Sequence, residues 1–145
     1  MYFEELRVGM TVDTAPVVIE KEKLLDFARL YDPIPLHTDE EYARTTRFRG
    51  LIAPGVMSFM AVWAKYTEVS FFGDSLVAGK STRIEWEKPV YPGDVLTGVV
   101  TVTDLIRRNE RNGLVTVRVD VYNQKDELVL FDVTESVVAC RAAAE

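Results

Sequence analysis

Cysteine is nearly missing from this chain: its single copy, Cys140, cannot close an intramolecular disulfide, so a stapled extracellular scaffold is excluded. Histidine is as scarce. His37 stands alone, and one histidine and one cysteine at opposite ends of the sequence do not make a metal ligand set. Basic charge is in deficit, with 17 Lys and Arg against 23 Asp and Glu. The resulting net charge of −6 argues against nucleic acid or an anionic membrane as the main partner. A small molecule or another subunit fits better. The charge-free stretch from Gly50 to Ala64 covers about 15 residues and contains Pro54-Gly55, short of the ~20 that cross a bilayer. The opening Met1-Tyr2-Phe3-Glu4-Glu5 lacks the basic and apolar regions of a signal peptide, which predicts a cytoplasmic protein.

Repeats and low-complexity tracts are also lacking. With 145 residues, 48% of them hydrophobic, and no shift in composition, the sequence predicts one domain over 1–145 with a sizeable core. Its first half reads as helices. Leu24, Phe27, Ala28 and Tyr31 recur at helical spacing, and that helix must stop at Asp32 because Pro33 follows. Thr38 and Glu41 have the spacing of a capping box for a second short helix through Tyr42 and Ala43. Gly55 opens a third, running through Val56, Met57, Phe59, Met60, Val62, Trp63 and Ala64, apolar on nearly every face and therefore expected to be enclosed. Met57, Phe59, Met60 and Trp63 read as core ahead of any channel lining.

From about Val77 the period changes to two. Ile84 and Trp86 alternate with Arg83, Glu85 and Glu87, and Val115, Val117, Val119 and Val121 alternate with Thr116, Arg118, Asp120 and Tyr122. Tyr91-Pro92-Gly93-Asp94, Asn112-Gly113 and Asn123 to Asp126 supply turn residues, and Arg107, Arg108 and Arg111 read as a solvated hairpin tip. An antiparallel sheet of about five strands must cover its apolar face, and the apolar helix is the element fit to do so. The predicted class is α+β, a sheet wrapped around one central helix.

Chemistry concentrates in Asp32-Pro33-Ile34-Pro35-Leu36-His37, which sets a carboxylate and the sole histidine on one segment stiffened by two prolines. Each proline fixes its own φ and drives the preceding residue away from the α region, so this stretch is expected to stay out of helix and hold both side chains in fixed directions. Preorganised acid and imidazole groups suit proton transfer. The amide of Gly55, at the N-terminus of the apolar helix, is a candidate donor to a developing oxyanion.

These segments, together with Gly50-Leu51-Ile52-Ala53-Pro54-Gly55, Lys88-Pro89-Val90-Tyr91-Pro92-Gly93-Asp94 and the opening Phe3 to Met10, resemble the MaoC-like dehydratases, the (R)-specific enoyl-CoA hydratases. The resemblance covers nearly the whole chain. It implies a hot-dog fold and reversible addition of water to a trans-2-enoyl thioester, with Asp32 and His37 jointly activating the water. It implies no cofactor, coenzyme A or an acyl carrier being part of the substrate, and a homodimer or larger homo-oligomer formed by joining sheets. Phosphate contacts would fall to local cations, for which Lys80, Arg83 and Lys88 are candidates.

The chain departs from the family pattern at two positions: Ile34 stands where relatives usually have Asn, and Pro54 where His is frequent. Neighbouring activities on this fold fit less well. Acyl-carrier dehydratases carry a Glu five residues after the helix glycine, where this chain has Met60, and hot-dog thioesterases place a carboxylate on the central helix, where Gly55 to Trp63 holds none. A binding or regulatory module without turnover is the remaining alternative, favoured by Ile34 and opposed by the intact Asp32 and His37.

Overall fold

The alternating segments become long antiparallel strands. The computed structural model describes residues 1–141 and contains β1 (Thr11–Asp13), β2 (Val17–Val18), β3 (Leu76–Trp86), β4 (Val95–Arg107), β5 (Asn112–Tyr122) and β6 (Leu128–Ala139). They form a six-stranded sheet in the order β1-β4-β5-β6-β3, with β2 also paired to β4. The count exceeds the expected five because β1 and β2, three and two residues long, are too short to show an alternating pattern. Val115, Val117, Val119 and Val121 all face the core, none more than 1% exposed.

Across that inner face lies α4 (Gly55–Val69), which buries Met57, Phe59, Val62 and Tyr66 against the sheet. This is the hot-dog arrangement. Enclosure is incomplete, contrary to what the helix's apolar composition predicts: Val56 and Met60 remain 48% and 46% exposed. A single sheet of this curvature covers one side of the helix and leaves the other to be covered from outside.

The remaining α-helices precede α4. α1 (Lys21–Tyr31) ends where Pro33 requires, with Asp32 as its C-cap. α2 (Pro35–Thr38) corrects the expectation that two prolines keep this stretch out of helix. Pro35 occupies the first turn, where no N–H is needed and its fixed φ already suits a helix. α3 (Glu40–Arg44) is capped by Asp39, whose carboxylate accepts from the Tyr42 N–H at 3.1 Å. The Thr38–Glu41 capping box does not form, because the Thr38 hydroxyl donates to the Ile34 carbonyl at 3.1 Å.

Two turns match their residues and one does not. Tyr91 to Asp94 closes with Asp94 N–H donating to the Tyr91 carbonyl at 3.0 Å, and the chain reverses at Asn123 to Asp126. Asn112-Gly113, expected to turn, instead opens β5. The turn lies before it, where the Asn109 side chain accepts from the Arg111 and Asn112 N–H groups at 2.8 and 3.0 Å. Gly113 serves packing: a Cβ there would overlap the Phe3 ring.

One acid faces inward. Asp132, fully buried on β6, accepts from the Thr82 hydroxyl and from the Thr134 hydroxyl at 2.6 Å. Burial pushes its carboxyl above the ordinary 3.8, and the two hydroxyls offset part of that rise.

Candidate active site

A cleft of about 870 Å³ opens between the α1–α2 corner, the N-terminus of α4 and the segment following β3. Three main-chain bonds fix the corner. Asp32 N–H donates to the Ala28 carbonyl, Ile34 N–H to the Asp32 carbonyl and His37 N–H to the Ile34 carbonyl, each at 2.9 Å. The Ile34 side chain is half exposed and lies outside the cleft lining. The corner that an Asn side chain would brace is therefore held by backbone.

His37 is buried and Asp32 is half exposed at the cleft wall, with Nε2 and Oδ2 3.3 Å apart. The other ring nitrogen, Nδ1, lies 2.7 Å from the Ile52 carbonyl oxygen. A carbonyl only accepts, so Nδ1 carries the hydrogen, and Nε2 is the atom left to exchange a proton toward Asp32 and the cleft. Ile52 is held in turn, since its neighbour Ala53 donates to the Val90 carbonyl at 2.7 Å. The strap bearing this acceptor is tied to the opposite wall.

Gly55 is the first residue of α4 and also lines the cleft. Its N–H belongs to the first turn, which has no partner within the helix and sits at the positive end of the helix dipole. Absence of a side chain matters here for a reason the sequence does not reveal. The Trp86 indole lies directly over Gly55, and a Cβ would overlap it. Asp32, His37 and Gly55 thus share one cleft, as the sequence reading expects.

A family model described as FAS1-like, dehydratase domain region, matches residues 7–131. The solved MaoC-like dehydratase from Rhodospirillum rubrum superposes with a TM-score of 0.88 at 31% identity, over 97% of this chain and 98% of that one. The chain belongs to the MaoC-like dehydratase family. Among its curated relatives, the (R)-specific enoyl-CoA hydratase of Rhodospirillum rubrum is 32% identical over 106 residues, 72% of each chain. An uncharacterized Bacillus subtilis protein, YdeM, is 34% identical over 127 residues, 87% of this chain and 90% of its own length.

Set against the other positions read from the sequence, this MaoC-like cleft is selective. Met57, Phe59, Met60 and Trp63 are absent from its lining, which takes Val56 and Ser58 from α4 instead. Of the three candidate cations only Lys88 lines it, ion-paired with Glu127, while Arg83 pairs with Glu85 at 3.0 Å. Arg47 lines it too, its guanidinium 4.9 Å from the Phe48 ring centroid. Neither Arg47 nor Ser58 belongs to a recognisable motif, so neither stands out before the fold is known.

Proposed function

We propose that this MaoC-like protein is a hydro-lyase that adds water reversibly to a trans-2-enoyl thioester. What carries the reading is the 3.3 Å approach of His37 Nε2 to Asp32 Oδ2 at the wall of a mainly apolar cleft, beside a helix N-terminus without a side-chain cap among the described residues. Water in the cleft lies against both groups and gives the pair its proton as its oxygen bonds to the β-carbon. The double-bond electrons move toward the thioester carbonyl, and the resulting enolate oxygen is met by the Gly55 N–H. Collapse of the enolate takes a proton from the same pair onto the α-carbon, so water's two hydrogens and oxygen are all accounted for. Dehydration retraces these steps. The thioester carrier is substrate; Arg47 and Lys88, the cations among the cleft-lining residues, are the groups proposed to meet its phosphates, Lys88 by exchanging its Glu127 partner.

The assay follows loss of conjugated thioester absorbance with short and medium trans-2-enoyl-CoAs. Asp32→Asn and His37→Ala should each lower kcat/KM by about 10²–10⁴-fold with the far-UV circular dichroism unchanged. Wild-type protein that binds these thioesters saturably without turnover would establish the binding module instead, and release of free thiol would establish a thioesterase. Retention of both Asp32 and His37 supports turnover over binding alone, since a binder needs neither.

The proposal includes a homodimer. β3 is an edge strand exposed along nearly its whole length, Leu76, Val77 and Trp86 among its residues, and the bare side of α4 carries Val56 and Met60. Unpaired edges and apolar stripes of this kind are normally covered.

A further inference from the structure

Ser58 lines the cleft and is 1% exposed, yet its hydroxyl has no hydrogen-bond partner among the described residues. The buried hydroxyls of Ser75 and Thr134, by contrast, are satisfied: Ser75 donates to the Phe72 carbonyl at 2.5 Å and Thr134 to Asp132 at 2.6 Å. A buried polar group without a partner is costly and calls for a cause. Tyr66 Oη and Asn112 Oδ1 are also unpartnered, but neither residue reaches the cleft.

The helix decides where the Ser58 hydroxyl is aimed. Ser58 follows Gly55 by three residues, so the two share one face of α4. Cα–Cβ bonds in a helix tilt toward its N-terminus, which directs the Ser58 side chain back over the first turn. The Pro54 carbonyl takes the Ser58 N–H at 3.2 Å, but the Ser58 hydroxyl does not bond back to it, unlike the Thr45 and Thr46 hydroxyls, which share a carbonyl with their own N–H. The hydroxyl and the Gly55 N–H therefore converge on the same region of the cleft. We infer that Ser58 donates a hydrogen bond to the thioester carbonyl oxygen, as a second donor beside the Gly55 amide.

This rests on the thioester reading above and adds a residue to it. A carbonyl oxygen accepts two hydrogen bonds through its two lone pairs, and a donor placed in advance stabilises charge that grows there as the enolate forms. Ser58 is then polar because the reaction needs it, at the expense of the fold. Ala is a better helix former and leaves nothing unsatisfied at this position.

The test compares wild type with Ser58→Ala, reading the infrared carbonyl band of bound butyryl-CoA labelled with ¹³C at the thioester carbon. This measurement needs binding but no turnover. Wild type should show the band displaced to lower frequency than in free butyryl-CoA, and Ser58→Ala should lose a clear part of that displacement. In the hydratase assay Ser58→Ala should lower kcat by about 10²–10³-fold, with KM within about twofold and a thermal midpoint equal to or above that of wild type. An unchanged carbonyl band in Ser58→Ala overturns the inference while leaving Asp32 and His37 as the proton-transfer pair. An effect confined to KM and dependent on acyl length overturns it too, making Ser58 a wall of the acyl pocket. A Ser58-dependent band in a protein without turnover sustains the contact and removes the hydratase reading. Failure of wild type to bind any acyl-CoA removes both.

Discussion

Two single residues have effects that a contact list alone would misjudge. Gly55 has ordinary helical geometry, so alanine would normally be welcome there; the obstacle is the Trp86 indole. Gly55→Ala should cost about 1–3 kcal/mol through overpacking, and most of the loss should return when Trp86→Leu is added. Urea denaturation of the single and double variants checks this, and an unchanged midpoint in the single variant would contradict the packing. Asp132 acts through its charge. Its folded-state value is raised, so it favours the folded protein below its unfolded value, and that contribution is lost as pH rises from 3.8 through the raised value. Asp132→Asn should therefore flatten the fall in stability over that window, read as thermal midpoints of both proteins between about pH 4 and pH 7. The exposed carboxylates whose values are lowered, such as Glu5 and Glu40, bias stability in the opposite direction but are common to both proteins, so the difference isolates Asp132.

Elements show where local sequence sufficed. β5 was legible because every second residue is valine and nothing interrupts the pattern. α1 was legible because Pro33 stops it. β1 and β2 were not, since pairing with β4 makes them strands and their own few residues do not. Asp39 and Thr38 are both cap-forming residues one position apart, and which one caps α3 depends on whether the Thr38 hydroxyl is taken by the preceding turn. Asp39→Ala should lower stability by about 1 kcal/mol, whereas Glu41→Ala should be nearly silent. Chemical denaturation distinguishes them, and equal losses would restore the capping box. In the candidate site, the sequence suggested Asp32, His37 and Gly55, and the structure brings them to one cleft. Ser58 drew no attention, because one serine in an apolar helix carries no pattern, and the inference about it starts from a hydrogen bond it does not make.

Considered whole, the molecule ends on one side in unfinished surface. Among the described residues β3 pairs with β6 alone, and its outer edge presents backbone groups without strand partners beside Leu76 and Val77. Trp86, which covers Gly55 and lines the cleft, belongs to this same strand, so the proposed second copy would abut the candidate site. Size-exclusion chromatography with light scattering should give twice the chain mass for wild type, and Val77→Asp should shift it to the monomer with loss of hydratase activity. A monomeric wild type would refute the assembly.

The Ile52 carbonyl has an implication for how this site tolerates change. Imidazole orientation in many enzymes hangs on a partner side chain that one codon change can delete. Here the acceptor is main chain, carried by a strap pinned at Val90, and every amino acid supplies the same oxygen. Drift at position 52 can alter the shape of the pocket while leaving the histidine's tautomer as it is, so under the proposed reaction substrate range can evolve there without unsettling proton transfer.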